Sequence, residues 1–396
     1  IQILESRGFG ISALGFSQSK DKIVKSNGDV LVLNRNRSFF RVRPPRIGSF
    51  ETSSHHNDKP KSSNNARERN RFPIPIVFRR ILYVIVISRL NILVHRWLRK
   101  TMPRVVLVND PHFLPAVRRY YLKSRAIVNV IYDSHEDFED HRYGNLQQRF
   151  LYYLEKFFLV PNWNMITVSE SIAIRMQNRF DLLSPVTVLK NLPSRKMQIS
   201  HSRSLIQDSG FSQNDCIAVY SGMISKSRGI EDVLSVLTEI AELKLAVIAN
   251  DHPSSRAYLH RLINFYNVSE RVAVLDYVNP GAISAYISDA TIGLSVLHRH
   301  NLDGEIITNH EYALPNRLFD YWNASLNLVI SDCYEQKKIT EHDDRTFVFK
   351  SGSRAELKKA LLQAMNQPKV ERKEKFFWED QIEEIDTIFS RHVAGS

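Results

Sequence analysis

Along most of the chain, short runs of β-branched and aliphatic residues alternate with segments of helical period. RVVLVND (104–110), AIVNVIYDSHE (126–136), MITVSE (165–170) and VTVLKN (186–191) are too continuous to leave a polar face, so they predict strands buried on both sides. Upstream, 1–7 reads as the end of a helix, 11–16 and 29–33 as strands, and the polar, aperiodic 50–70 as a loop; 114–123 has helical period. The alternation pauses at 193–215, rich in Ser, Gln and Arg, which predicts a linker. It then restarts with CIAVYSG (216–222), LAVIAND (245–251), VAVLDYV (272–278), TIGLSVL (291–297) and NLVISD (327–332), separated by helical patterns at 230–243, 254–266, 281–288 and 316–322. Strand and helix in strict alternation predict parallel sheets. The fold class expected is α/β, with two Rossmann-like domains over 1–192 and 193–374, and ligands at the carboxyl ends of the strands, facing a cleft between the domains.

Length agrees with that division, since 396 residues exceed one ordinary domain. Two cysteines, Cys216 and Cys333, build no disulfide framework, and no CxxC or HExxH spacing is present, so no metal is expected. No apolar run reaches the length that crosses a bilayer and no signal-peptide pattern opens the chain, which lacks an initiator Met; the expected location is cytoplasmic.

Charge changes the picture more. The net +12 is split unevenly: 1–200 hold 33 Lys and Arg against 15 Asp and Glu, whereas 201–396 hold 21 against 27. Much of the excess lies at 65–104, where Arg79, Arg80, Arg89, Arg96, Arg99 and Lys100 surround the apolar stretch 81–87. A helix around 73–100 of this composition suits the headgroup region of an anionic membrane, which implies peripheral attachment at the cytoplasmic face of the inner membrane. The other reading is a domain helix with a solvated basic side. Without RNP, zinc-finger or helix-turn-helix signatures, nucleic acid is not an expected partner.

Two segments of the second half hold candidate chemistry. In YALPNRLFDYW (312–322) a loop ending in Pro315 opens a helix, so backbone N–H groups, Asn316 and Arg317 point from the ligand edge toward a diphosphate, while Asp320 one turn on can accept from a ribose diol. In YSGMISKSRGIEDV (220–233) a strand ends at Gly222, and Lys226 and Arg228 precede Gly229 and a helix; such cations stabilise a leaving phosphate. Taken singly, each is equally read as a capped helix or a solvated loop.

In their order, YDSHE, TVSESIA, LKNLP, YSGMISKSRGIEDV, VNPGAISAYISDATIGL and YALPNRLFDY resemble the retaining GT-B glycosyltransferases of family 4 and its relatives, over 104–350. The resemblance implies a nucleotide-sugar donor, UDP- or GDP-linked, as substrate and no cofactor. It places the donor on Gly222, Lys226, Arg228, Asn316, Arg317 and Asp320, with the base near the backbone of Val278. It makes His135 the group beside the transferred sugar, with Glu136 next to it and Glu311 within reach. Asp110 and His112 become acceptor-side residues, for a lipid-linked or polysaccharide acceptor. It also implies a last helix returning to the first domain, for which 376–389, within 375–396, is the candidate.

The chain departs from the family pattern in three places. Met223 stands where many members carry Arg. The acidic pair spaced by seven residues is incomplete, with Tyr312 at the partner position of Asp320 and Glu311 one residue away. The family's first strand and Gly-rich turn are not matched, as in a truncated or degenerate copy. A second expectation therefore stands beside the enzyme: an inactive GT-B remnant that binds nucleotide or a partner.

Overall fold

The computed structural model describes residues 11–15, 30–34, 76–124, 128–143, 145–195, 203–225, 228–249, 252–300, 304, 306–312 and 314–390. The helix expected at 1–7, the loop at 50–70 and the cation Lys226 lie outside the described residues. The chain divides into two compact units, Ile1–Val128 and Asn129–Ser396.

In the first unit, β1 (Ile11–Gly15), β2 (Val30–Asn34) and β3 (Val105–Val108) pair in parallel in that order. The basic segment forms a helix of 26 residues, Ile76–Thr101. Its Ile87, Val94 and Leu98 recur at helical spacing and are buried. On the same side the Asn91 amide donates to the His112 carbonyl at 2.8 Å and accepts from Ala116 N–H at 2.9 Å, pinning the helix to the turn after β3. Helix Leu114–Lys123 follows as the pattern predicts.

The second unit begins with the parallel strands β4 (Asn129–Ser134), β5 (Asn164–Thr167) and β6 (Thr187–Val188). It continues with β7 (Cys216–Gly222), β8 (Leu243–Ala249), β9 (Val272–Leu275), β10 (Ile292–Ser295), β11 (Asn327–Ser331) and β12 (Thr346–Phe349). These form a parallel sheet in the order β12-β11-β10-β7-β8-β9. Helices Ile230–Leu237, Pro253–Tyr266 and Arg354–Asn366 cover one face, and Leu205–Ser209, Ile283–Tyr286 and Asn316–Asn323 the other. Burial on both faces is why these strands read as unbroken apolar runs. The chain moves outward from β7 to β9, then returns to place β10 on the other side of β7. The strand order thus reverses between β7 and β10, the switch point at which open α/β sheets bind ligands.

Two expectations shift. Within the expected linker 193–215, Ser204 and Gln207 form a capping box that starts helix Leu205–Ser209, and Leu205 is fully buried. One core leucine outweighs its polar neighbours. The C-terminal helix begins later than expected: Phe377 is extended, Trp378–Gln381 make a 3₁₀ turn, and the helix is Ile382–Ser390. This segment packs on the exit of β6, where Trp378 N–H donates to Pro193 C=O at 2.9 Å and the Gln381 amide both accepts from Lys190 N–H and donates to its carbonyl.

Candidate functional site

At the switch point, a cavity of about 350 Å³ opens between the ends of β7, β8 and β9 and the start of helix Asn316–Asn323. Among its lining residues are Gly222, Arg228, Val278, Asn316, Arg317 and Asp320, so the structure gathers six of the seven predicted donor residues, Lys226 lying outside the described ones.

The cavity is shaped by backbone first. Gly222, at the end of β7, has φ +131°, a conformation that side-chain-bearing residues rarely adopt. Beneath it lies the Arg317 guanidinium, with Nη1 3.7 Å from where a Gly222 Cβ would stand. Arg317 is buried; its guanidinium lies over the Tyr220 ring at 4.8 Å and Nη2 donates to the Val296 carbonyl at 2.7 Å. Its Nε is buried with no hydrogen-bond partner among the described residues. Among the described residues no acidic side chain is ion-paired with this cation, an arrangement that favours an incoming anion. Pro315 precedes the helix and offers no side-chain cap, so the first N–H groups of Asn316–Asn323 keep the unpaired donors that every helix start has. Arg228 follows the same edge, where its N–H closes a turn on Ser225 C=O.

Asp320 sits one turn into that helix, and burial pushes its carboxyl up to about 7, against a smaller opposing effect of a Ser284 hydrogen bond. A half-buried carboxyl with no cationic partner among the described residues is suited to accept from neutral hydroxyls. Tyr277, beside Val278 on the rim, is exposed and supplies a flat aromatic face. Sequence reasoning passed over it, although an aromatic at the carboxyl end of β9 was the available signal.

The loops are held from behind. Tyr321 is fully buried and its hydroxyl accepts from Ser221 N–H at 2.7 Å, tying the helix to the end of β7. A Cβ on Gly293 would stand 2.5 Å from the Tyr321 ring, so only glycine lets helix and β10 approach this closely. Past β10, His298 Nε2 meets Asp232 at 3.0 Å, which raises the imidazole pKa, and its carbonyl accepts from His310 Nδ1 at 2.7 Å. Burial lowers His310 to about 4, with Arg228 and Arg317 adding smaller effects in the same direction, so its imidazole is neutral at pH 7.

The other predicted residues are placed differently. Glu311, buried, is ion-paired to Arg299 at 2.6 Å and is not among the cavity's described lining residues. His135 is exposed at the end of β4, with Nε2 3.3 Å from the Asp133 carboxylate, and Glu136 is half-buried after it. Asp110 and His112 belong to the first unit. There Asp110 caps the turn Pro111–Phe113, accepting from His112 N–H at 2.9 Å and from His112 Nδ1, while His112 Nε2 lies 2.5 Å from the Tyr83 hydroxyl. The Asp110 carboxylate and the Tyr83 hydroxyl thus hold the His112 ring by its two nitrogens.

Residues 202–376, which hold the whole cavity, match the family Glycosyl transferases group 1. The fold is similar to that of sucrose-phosphate synthase from Thermosynechococcus elongatus, with TM-score 0.61 and 13% identity over 76% of each chain. It is also similar to Anabaena HepE in complex with UDP and glucose, with TM-score 0.58 and 10% identity over 77% of this chain and 80% of that one. A glycosyltransferase from Rickettsia africae gives TM-score 0.56 and 9% identity over 85% of each chain. No curated protein sequence matches the chain. The α/β architecture with parallel sheets is similar to that of GT-B glycosyltransferases.

Proposed function

We propose that the protein transfers a glycosyl group from a UDP- or GDP-linked sugar to a lipid-linked or polysaccharide acceptor, with retention at the anomeric carbon and no metal. The observation that carries this reading is the cavity at the switch point, where a buried cation, a helix start and a half-buried carboxyl converge inside the segment that matches the glycosyltransferase family. The donor diphosphate meets Arg317, Arg228 and the N–H groups opening helix Asn316–Asn323. The ribose diol donates to Asp320, and the base lies against Tyr277 and the backbone of Val278.

As the sugar–phosphate bond breaks, negative charge grows on the diphosphate, and fixed cations that need no reorganisation stabilise it. Arg317 suits this role because Tyr220 and Val296 C=O hold its guanidinium in place beforehand. His135, oriented by Asp133, binds a hydroxyl of the transferred sugar, Glu136 stands beside it, and Glu311 acts through Arg299. Residues 1–192 would serve the acceptor, through Asp110 and His112, and 193–374 the donor.

The acceptor class follows from the basic helix. Among the described residues no helix is long and apolar enough to cross a membrane. Helix Ile76–Thr101 nevertheless exposes Val84, Ile85, Val86, Ile92 and Leu93 next to Arg89, Arg96, Arg99 and Lys100. Apolar side chains flanked by cations suit the anionic cytoplasmic face of a membrane, where a lipid-linked acceptor would lie.

Calorimetric titration with UDP, GDP, dTDP and CMP tests the reading: selective binding that Arg317→Ala or Asp320→Ala weakens at least tenfold is expected, and no binding by the folded chain would overturn it. A second reading, a remnant that binds nucleotide without turning over, is favoured by Met223 and by the Arg299 partner that occupies Glu311. It predicts nucleotide binding with no release of sugar from any donor.

A further inference from the structure

Within the second unit, one side chain pairs with both main-chain groups of a residue 172 positions away: Asn309 Oδ1 accepts from Asp137 N–H at 2.7 Å and its Nδ2 donates to Asp137 C=O at 3.0 Å. Asp137 directly follows His135 and Glu136; Asn309 directly precedes His310 and Glu311. We infer that Asn309 is a positioning residue that fixes the strand end carrying His135 and Glu136 against the donor-side segment carrying His310 and Glu311.

Both ends of this link are immobilised. The Asp137 carboxylate is wholly buried and bound by Arg175 Nε at 2.7 Å and by Arg179, while Arg179 also holds buried Glu155. On the other side, helix Thr308–Glu311 is held by His310 on the His298 carbonyl and by Glu311 on Arg299. His298 in turn meets Asp232 in the helix that follows Arg228 and Gly229. The link thus runs from the loop after β7 to the end of β4 through groups that are each anchored.

Only a side-chain amide presents a donor and an acceptor together in the spacing of a peptide, so Asn pairs with main chain as a strand neighbour would. Pairing with backbone also makes the register independent of what residue 137 carries. Further contacts join the same parts of this unit: Glu335 accepts from Ser171 N–H at 2.8 Å, Lys338 pairs with Glu170, and the Arg175 guanidinium lies over the ring of Tyr312, next to Glu311, at 5.4 Å. None of these holds the main chain beside His135 and Glu136 as Asn309 does. The inference rests on the donor-site reading above, because a register matters to turnover only if sugar is held between these segments.

Its test uses the full chain and the variants Asn309→Ala and Asn309→Asp; the latter keeps size and one acceptor while setting an oxygen against Asp137 C=O. Two measurements separate the inference from the reading on which it rests. Hydrogen exchange needs no donor: both variants should lose protection at 133–139 and 307–311, with 216–222 unchanged. Equal protection overturns the inference. Hydrolysis of UDP-glucose and GDP-mannose, each paired with nucleotide binding by calorimetry, reads the consequence. Donor hydrolysis should fall at least tenfold in both variants while the nucleotide Kd stays within about twofold, and unchanged hydrolysis overturns it. If the wild-type chain binds neither nucleotide, the donor-site reading fails, and the exchange experiment alone decides whether Asn309 sets this register.

Discussion

Arg317 and Asp320 stand three residues apart on one helix, yet their environments differ in a way that assigns them different partners. Among the described residues Arg317 has a carbonyl and a π face as partners and no carboxylate, so its charge is available to an anion; Arg317→Ala should raise the Kd for UDP or GDP about 10- to 150-fold, the equivalent of the roughly 1.5–3 kcal/mol of a charged hydrogen bond. Calorimetry at fixed salt reads this directly. Asp320 has the opposite problem, a carboxyl raised to about 7 by burial. Because its folded value lies above the ordinary value of about 4, its contribution to stability is full below about 4 and is lost as pH rises toward 7. Asp320→Asn should therefore raise Tm more at pH 8 than at pH 4.5, measured by scanning calorimetry. The ionised form is the better acceptor for a ribose diol, so wild-type nucleotide affinity should increase from pH 6 to pH 8, and Asp320→Asn should flatten that dependence.

At the scale of elements, the close approach of helix Asn316–Asn323 to β10 decides whether the cavity exists. A methyl group at Gly293 would meet the Tyr321 ring, and the ring cannot retreat without releasing Ser221 N–H at the end of β7. Gly293→Ala should cost about 1–3 kcal/mol in denaturant unfolding and weaken nucleotide binding, although residue 293 does not line the cavity. The sequence shows why the strands and the loops that line the cavity were legible. Continuous runs such as CIAVYSG have one physical explanation, burial on both faces, and LPNRL and SRG place cations and helix starts at strand ends. Gly293 was not legible: inside TIGLSVL it reads as one more small apolar residue, and its role depends on a ring 28 positions later. Helix Leu205–Ser209 was obscured for a related reason, since a capping box around one buried leucine leaves almost no apolar period. The basic helix was legible in its composition, and its use is testable there. Replacing Arg89, Arg96, Arg99 and Lys100 by Gln should weaken sedimentation with vesicles of anionic lipid, by about 1 kcal/mol for each cation near the surface, while UDP affinity is unchanged.

On the scale of the whole chain, the direct contacts between β4–β6 and β7–β12 of the second unit are joined by a second tie, the C-terminal segment, which the sequence revealed only through resemblance. Nothing periodic marks 368–381, because its role is carried by hydrogen bonds to main chain. Arg372 pairs with Asp343 and donates to Leu326 C=O, Lys375 donates to Asn323 C=O at 2.8 Å and to Ser325 Oγ at 2.9 Å, and the Asn323 amide pairs with both main-chain groups of Phe376. Trp378 and Gln381 then fasten the strap to Pro193 and Lys190. The end of helix Asn316–Asn323 is thereby joined to the exit of β6 through these polar contacts and through the Phe376 ring packed on Phe319 and Trp322, beside the direct link of Asn309 to Asp137, so severing the polar contacts should loosen the assembly without emptying the switch-point cavity. Gln381→Ala leaves the Lys190 N–H and C=O without their side-chain partner, at a cost of about 1–3 kcal/mol. Combined with Asn323→Ala at the other end of the strap, it should split a single unfolding transition into two, the part containing β7–β12 melting separately and still protected by UDP. Scanning calorimetry with and without nucleotide distinguishes this from simple destabilisation. A single transition that shifts as a whole would show that the sheets are joined by their packing and not by the strap.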